Sequence, residues 1–373
     1  MHGTHDRDRS DQSGSRPAAR APLSVLARPA FAARKNPYTA RLYGAMGTVD
    51  GGVRVTEWSL QRALSGRWDI VHVHWPESVF DHTLPEAMVT SWALLSAVDA
   101  ARRRGASLVW TVHNLRAHGQ RHTRAEDRFR RVWLERLDGV LALTHAGLQA
   151  AREAYPPLRE RPAAVVPHPH YRGVYPDDTS RADARRRLEL PERGPVVLFF
   201  GRVASYKGVP DLVAAFGQLA DPGARLVIAG APMSTADRAA MAGWPRADNR
   251  VRIVPEFIPS TDVQHYFRAA DLVVLPFRDI LNSGSAILAL SFDRRVLAPA
   301  RGAIAELAEA AGPRWVSTYR GALTTQLLSE ALAAAALDPD RTEGAHIAHL
   351  DPEEVARETI NAYHRFLEAR ERV

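Results

Sequence analysis

FFGRVASYKGVPDLVAAF, residues 199–216, reads as the end of a buried strand, a glycine, a short basic loop and the start of an amphipathic helix. Pro210–Leu219 places Leu212, Val213, Phe216 and Leu219 on one stripe, the spacing of a helix with one face turned inward. Gly201 lets backbone approach an anion, the helix start offers unpaired N–H groups, and Arg202 and Lys207 add two cations to the same loop. Together they form a cradle for a diphosphate. A basic surface loop without a ligand is the alternative reading, and Arg202 alone does not exclude it. Lys207 weighs against it, because Lys35 and Lys207 are the only lysines among 49 basic residues.

The strand-then-helix rhythm continues in both directions. Nearly all-apolar runs lie at Pro195–Phe200, Arg225–Ala229, Val251–Val254, Leu272–Leu275 and Arg295–Leu297. Earlier in the chain they lie at Asp69–Val73, Ser107–Val112, Val140–Leu143 and Ala163–Val166. Runs without alternation are buried on both faces, which requires parallel pairing and covering helices. Segments such as Thr261–Ala270, with Val263, Tyr266 and Phe267 inward, supply those helices. The expectation is an α/β protein built of two facing, doubly wound Rossmann-like domains. A polar tail at 1–21 precedes a first domain at 22–177 and a second at 178–338. Tyr175–Arg187 reads as the linker. The segment 339–373 carries a terminal helix, Pro352 to about Arg370, that is expected to cross back towards the first domain.

In open parallel sheets ligands sit beyond the carboxyl ends of the strands, so the loops there should carry the chemistry. In the second half, LPFRDILNSGSAILALSF (275–292) ends a strand and opens a helix with Asn282, Ser283, Gly284 and Ser285. Small hydroxyl residues and glycine at a helix start bind phosphate; they are also ordinary caps with no ligand at all. A third loop, Pro255, Glu256 and Phe257, follows another strand and is placed to clasp a base or ribose.

In the first half the corresponding loops hold His72, His74, Trp75 and Glu77, then His113 and Asn114, then His168 and His170. His72 reads as a core histidine within a strand. Transfer of a group onto a hydroxyl needs one general base, and Glu77 or His113 is suitable. Trp75 is suited to stacking on a sugar face, and Asn36 and Tyr38 belong to the first loop of the same side, just after Lys35. The H-x-H pairs His72/His74 and His168/His170 allow a zinc reading, which is set aside because the second-half motifs need no metal.

At 373 residues the chain exceeds one ordinary core. Its composition, 46% hydrophobic and 24% charged, excludes wholesale disorder, and the absence of cysteine excludes a disulfide scaffold, thiolate nucleophiles and cysteine zinc sites. No apolar run approaches the roughly 18–20 residues needed to cross a bilayer, so a cytoplasmic location is expected, with at most peripheral contact at the inner face of the membrane. The net charge of +7 suits anionic partners, and no nucleic-acid recognition motif accompanies it. Residues 116–137 mix arginines with Phe129, Val132, Trp133 and Leu137, which fits an anionic membrane surface or a helix packed on its own sheet.

The segments GRVASYKG, LVIAG and RIVPEFIP followed by AADLVVLPF resemble the donor half of GT-B glycosyltransferases, of the broad family 4, over about residues 195–310. NPYTARLYGAM, VHVHWPE, TVHN and VVPHPHY are similar to bacterial exopolysaccharide and glycolipid transferases of the GDP-mannose:glycolipid β-mannosyltransferase type. The resemblance implies a hexosyltransferase that takes a nucleotide diphosphate sugar as donor substrate, needs no cofactor, and passes the hexose to a saccharide or glycolipid acceptor. It implies donor binding by Gly201, Arg202, Lys207, Pro255–Phe257 and Asn282–Ser285. Catalysis then falls to Glu77 or His113, a histidine at the latter position lying near the donor sugar, and acceptor binding to Asn36, Tyr38, His74, Trp75 and His168. One departure stands out. The family usually places two glutamates eight positions apart beside the donor, and here Ile280 and Leu288 occupy them, with Asp279 the nearest carboxylate. A sugar-nucleotide epimerase or hydrolase, and a binding protein without chemistry, are the rival readings.

Overall fold

The computed structural model describes residues 22–32, 36–49, 53–116, 122–244, 248–337 and 343–372. The expected tail at 1–21, Lys35, and residues 117–121 of the basic stretch lie outside the described residues. The first sheet contains β1 (Leu23–Arg28), β2 (Val53–Glu57), β3 (Ile70–Val73), β4 (Ser107–Val112), β5 (Gly139–Ala142) and β6 (Ala163–Val165). Their order is β2-β1-β3-β4-β5-β6, every pair parallel. The second contains β7 (Val196–Phe200), β8 (Arg225–Ala229), β9 (Val251–Val254), β10 (Leu272–Val274), β11 (Arg295–Pro299) and β12 (Val316–Tyr319). It runs β12-β11-β10-β7-β8-β9, again all parallel. The unalternating strands β3, β4 and β5 are buried at every residue, as helices on both faces require.

Three strands exceed the sequence expectation. β2 (VRVTE) and β12 (VSTY) are edge strands, which tolerate polar residues that an inner strand would not. β1 is central, with Val25, Leu26 and Ala27 wholly buried, but its apolar run is too short to read by itself. The linker expectation also needs correction. Arg181–Arg187 is a helix, capped where Ser180 Oγ accepts from the Asp183 N–H at 3.1 Å. Its Arg185 is buried and pairs with Asp271 at 2.7 Å, so this stretch is fixed to the second sheet.

The terminal helix, Pro352–Glu371, packs against helix Tyr38–Met46, and its Tyr363 and Phe366 join the core of the first sheet beside Tyr43 and Leu141. Each sheet reverses its winding once, between β1 and β3 and between β7 and β10. Loops leaving those strands part in opposite directions and open a crevice. Both crevices lie at the boundary between the two sheets. The Asn282 amide donates to the backbone carbonyl of His113 at 3.0 Å, and a side chain added at Gly284 would meet Tyr171 Oη and His168 Nε2.

Candidate active site

The quoted loop leaves β7 at the second crevice. Gly201 has φ +124°, and a Cβ there would lie 3.1 Å from Ser285 Oγ and 3.6 Å from Lys207 Nζ. Glycine therefore keeps open a space on which a hydroxyl and an ammonium converge. Gly208, at φ +63°, begins helix Val209–Gly217, and any Cβ would strike the Pro276 carbonyl at 2.0 Å. The loops after β7 and β10 thus touch backbone to backbone. Arg278 braces them by bonding Asp211 through two nitrogens, at 2.7 and 3.0 Å.

Lys207 Nζ has no carboxylate partner among the described residues. Burial, with the nearby Arg202 charge second, pulls its pKa down to about 8. Arg202 itself is exposed at the mouth. Two cations held close, without a counterion among the described residues, form a site that attracts an anion.

The helix-start residues divide. Ser285 faces Gly201, but the Ser283 hydroxyl accepts from Ala286 N–H at 3.2 Å and is an ordinary cap. Asn282 turns away from the cradle: its amide nitrogen donates to Val112 and His113 carbonyls of the other sheet, and its Oδ1 is buried without a partner among the described residues. Pro255, Glu256 and Phe257 follow β9, at the outer edge of the row of strand ends, all exposed. The positions where relatives carry glutamates are packed instead, with Leu288 buried and Ile280 against the core. Asp279 is exposed.

Across the boundary, the first-sheet loops build an aromatic cluster. Trp75 stacks on His113 with ring centroids 4.4 Å apart and 24° between planes. Tyr38 stands edge-on to His113 at 4.8 Å and tilts against His168 at 4.7 Å. His74 Nδ1 lies 3.0 Å from His113 Nε2. Burial, then neighbouring imidazoles, holds His74 and His113 well below the usual histidine range, so both are neutral at pH 7. His168, lowered to about 4 by burial, bonds Pro169 O and Tyr171 Oη. Asn36 spends its side-chain oxygen on the Tyr38 N–H at 3.1 Å.

Glu77 sits in the turn Pro76–Asp81 that follows Trp75. It is buried after β3, one oxygen accepts from Asn114 at 3.1 Å, and the other has no partner among the described residues. Burial raises its pKa to about 7, against the pull of the Asn114 hydrogen bond. Its remaining charged neighbours are Arg28, Arg130 and Glu126. His72 is the core histidine that its strand position implies, bonded on both nitrogens. Among the described residues no group of three or more His, Asp or Glu side chains stands close enough to hold a metal.

Sequence reasoning missed the residues that act at a distance along the chain. Tyr43, Thr111 and Tyr363 surround His72 and His74, and Glu306 accepts from the His145 and Ala146 N–H groups, tying the second sheet's helix Gly302–Ala311 to the start of helix His145–Ala154. A cavity of about 320 Å³ lies there, lined by His168, Asn282, Ser283, Glu306, His349 and Glu358 among others. The only local signal for Tyr43 was its place beside Leu42 and Met46 on one stripe of its helix. The apolar stripe of helix Thr123–Glu135 faces inward, with Phe129, Trp133 and Leu134 buried, so that stripe is packed on the protein's own core.

Two parallel sheets that meet at their switch points, with paired cations on one side and an aromatic and histidine cluster on the other, have the layout of the GT-B fold. The family model described as glycosyl transferases group 1 matches residues 194–339. A GDP-mannose:glycolipid 4-beta-D-mannosyltransferase of Xanthomonas campestris pv. campestris is 30% identical over 80% of this chain and 79% of its own. Among solved structures, Anabaena HepE in complex with UDP and glucose covers 94% of this chain and 100% of its own, with TM-score 0.60 at 15% identity. A glycosyltransferase from Rickettsia africae covers 94% and 99%, with TM-score 0.61, also at 15% identity. The chain belongs to the group 1 glycosyltransferases. The epimerase and binding-protein readings have no support in these comparisons.

Proposed function

We propose that the enzyme transfers mannose from GDP-mannose to a lipid-linked saccharide. The observation that carries the donor half is the convergence of Lys207 Nζ and Ser285 Oγ on the space above Gly201. Arg202 and Lys207 hold the diphosphate and stabilise the charge that grows on it as the sugar leaves. These two cations supply the neutralisation that a divalent cation gives elsewhere, so the transfer is read as needing no metal or cofactor. Phe257, half exposed at the edge of the strand ends, with Pro255 and Glu256, is placed to meet the nucleoside. His113, neutral and at the crevice, is the general base for the acceptor hydroxyl, and Tyr38, Trp75 and His168 form the wall on which acceptor sugars rest. The similarity to the Xanthomonas mannosyltransferase over most of both chains supports the choice of mannose and glycolipid. Thermal shift across GDP-, UDP- and ADP-sugars tests the donor, since a ligand that binds only the folded state raises its stability. Stabilisation by UDP- or ADP-sugars and none by GDP-mannose would overturn that choice. Product analysis with and without a lipid-linked saccharide tests the acceptor.

The reading includes peripheral contact with an anionic membrane. Leu60 and Leu64 on helix Leu60–Ser65, and Leu84, Met88, Val89 and Trp92 on helix Leu84–Arg103, are exposed on two helices that pack together. The neighbouring helix Thr123–Glu135 turns Arg124, Arg128 and Arg131 to solvent. An apolar patch beside a row of arginines complements a bilayer with anionic headgroups. Among the described residues no helix is long and apolar enough to cross a membrane. Sedimentation with phosphatidylcholine vesicles, with and without phosphatidylglycerol, should show binding that needs the anionic lipid and falls in Trp92→Ser. Equal binding to both vesicle types would sink the idea.

A further inference from the structure

Behind His113 runs an unbroken chain of buried polar groups that ends on the terminal helix. His113 Nε2 lies 3.0 Å from His74 Nδ1, and His74 Nε2 lies 2.6 Å from the Tyr43 hydroxyl. That hydroxyl is 2.7 Å from His72 Nδ1, which is also 2.6 Å from the Tyr363 hydroxyl. The two tyrosines bond each other, and His72 Nε2 meets Thr111 Oγ1 at 2.7 Å. Tyr43, His72, His74, Thr111 and Tyr363 are each at most 2% exposed. His113 is the one partly exposed member, and its Nδ1 has no hydrogen-bond partner among the described residues.

A neutral imidazole carries one proton, and the partner of each nitrogen decides where it sits. If Tyr43 donates to His74 Nε2, the His74 proton sits on Nδ1 and is given to His113 Nε2. His113 then holds its own proton on Nδ1 and has nothing to accept with. If Tyr43 donates to His72 Nδ1 and accepts from His74 Nε2–H, every proton shifts the other way. His74 Nδ1 is bare, His113 Nε2–H donates to it, and His113 Nδ1 is free. In this second order the Tyr43 hydroxyl gives its one proton on the side of His72 and Tyr363, where it is the donor of the tyrosine pair, and accepts from His74 Nε2–H.

We propose that Tyr43 is a positioning residue that, through His74, fixes the proton of His113 on Nε2 and leaves Nδ1 free to take the acceptor proton. The proposal rests on the reading of His113 as the base. In the step it serves, the acceptor oxygen forms its bond to the sugar carbon while its proton passes to His113 Nδ1. The sugar–phosphate bond breaks and its electron pair leaves with the diphosphate. The resulting imidazolium is held through Nε2–H by His74, which does the orienting done by a carboxylate in a Ser-His-Asp triad.

Imidazole ¹⁵N NMR of the empty enzyme tests the proton order directly, because protonated and bare ring nitrogens resonate far apart. The expected pattern is one tautomer for His113, Nε2–H with bare Nδ1, and Tyr43→Phe should convert it to a mixture. In the same variant kcat should fall about tenfold or more while KM for the donor changes less than about twofold. A wild-type spectrum showing the Nδ1–H form or a mixture overturns the proposal, and this outcome does not depend on whether the variant folds. So does a folded Tyr43→Phe enzyme with wild-type kcat and an unchanged spectrum. His113→Ala separates the two readings: full activity there refutes the base assignment itself, whereas loss there with no effect of Tyr43→Phe refutes only the role of Tyr43.

Discussion

Replacing Lys207 with methionine should make the empty protein more stable and the enzyme worse. Burial, and then the Arg202 charge, moves the ammonium from 10.5 to about 8. At about 1.4 kcal/mol per pKa unit, keeping that charge at pH 7 costs the fold roughly 3 kcal/mol, an upper bound because the half-buried group keeps part of its water. Methionine preserves the stem and removes the charge, so Lys207→Met should gain up to roughly 3 kcal/mol in urea unfolding at pH 7. The folded pKa lies below the unfolded one, so the cost is fully present below about 8 and fades as pH rises towards 10.5. The gain should therefore shrink to about half at pH ~9.2, midway between the two pKa values. Donor binding moves the other way, since a charge-assisted hydrogen bond of about 1.5–3 kcal/mol is lost, or about 10–100-fold in affinity by calorimetry. A variant that is less stable than wild type at pH 7, or that binds the donor with undiminished affinity, would refute the reasoning that Lys207 is held uncomfortably for an anion.

Other outcomes follow from the same geometry. His113→Ala should lower kcat by about 10²–10⁴, while Glu77→Gln, which removes a buried carboxylate, should cost less than about tenfold; the reverse order in steady-state assays would exchange their roles. Glu77 also gives a stability signature. Its folded pKa, about 7, lies above the ordinary carboxyl value of 4.5, so the buried carboxylate penalises the fold increasingly as pH rises from 4.5 to 7. Glu77→Gln should gain on wild type across that window, and a pH-independent difference in unfolding free energy contradicts this. Glu306→Gln weakens a charged cap on helix His145–Ala154 and should cost about 1 kcal/mol, with faster amide exchange at His145 and Ala146.

The basic loop after β7 was legible because everything that makes it is local: a strand end, Gly201, two cations and a helix start lie within one short stretch. The inner strands were legible for a similar reason, since unalternating apolar runs need no partner to be recognised. The edge strands β2 and β12 were not, because their residues alternate weakly with polar ones and their pairing is decided by neighbours far along the chain. At the helix start after β10 the sequence offered Asn282, Ser283 and Ser285 as equals, and nothing local distinguishes a phosphate ligand from a cap or a strut. The fold separates them by direction, sending Asn282 to the His113 carbonyl, Ser283 to its own helix and Ser285 to Gly201.

By itself, then, the sequence determined two doubly wound domains and the gathering of Gly201, Arg202 and Lys207 at one strand end, since hydrophobic periodicity and strand-end chemistry are properties of contiguous residues. Only the tertiary structure decided what stands around His113. Residues as distant as Tyr43 and Tyr363 meet at His72 because the terminal helix returns to the first sheet, and burial there removes the water that would otherwise satisfy their polar groups. Once water is gone, each buried donor must find an acceptor among its neighbours, and that constraint ties His113 to the core.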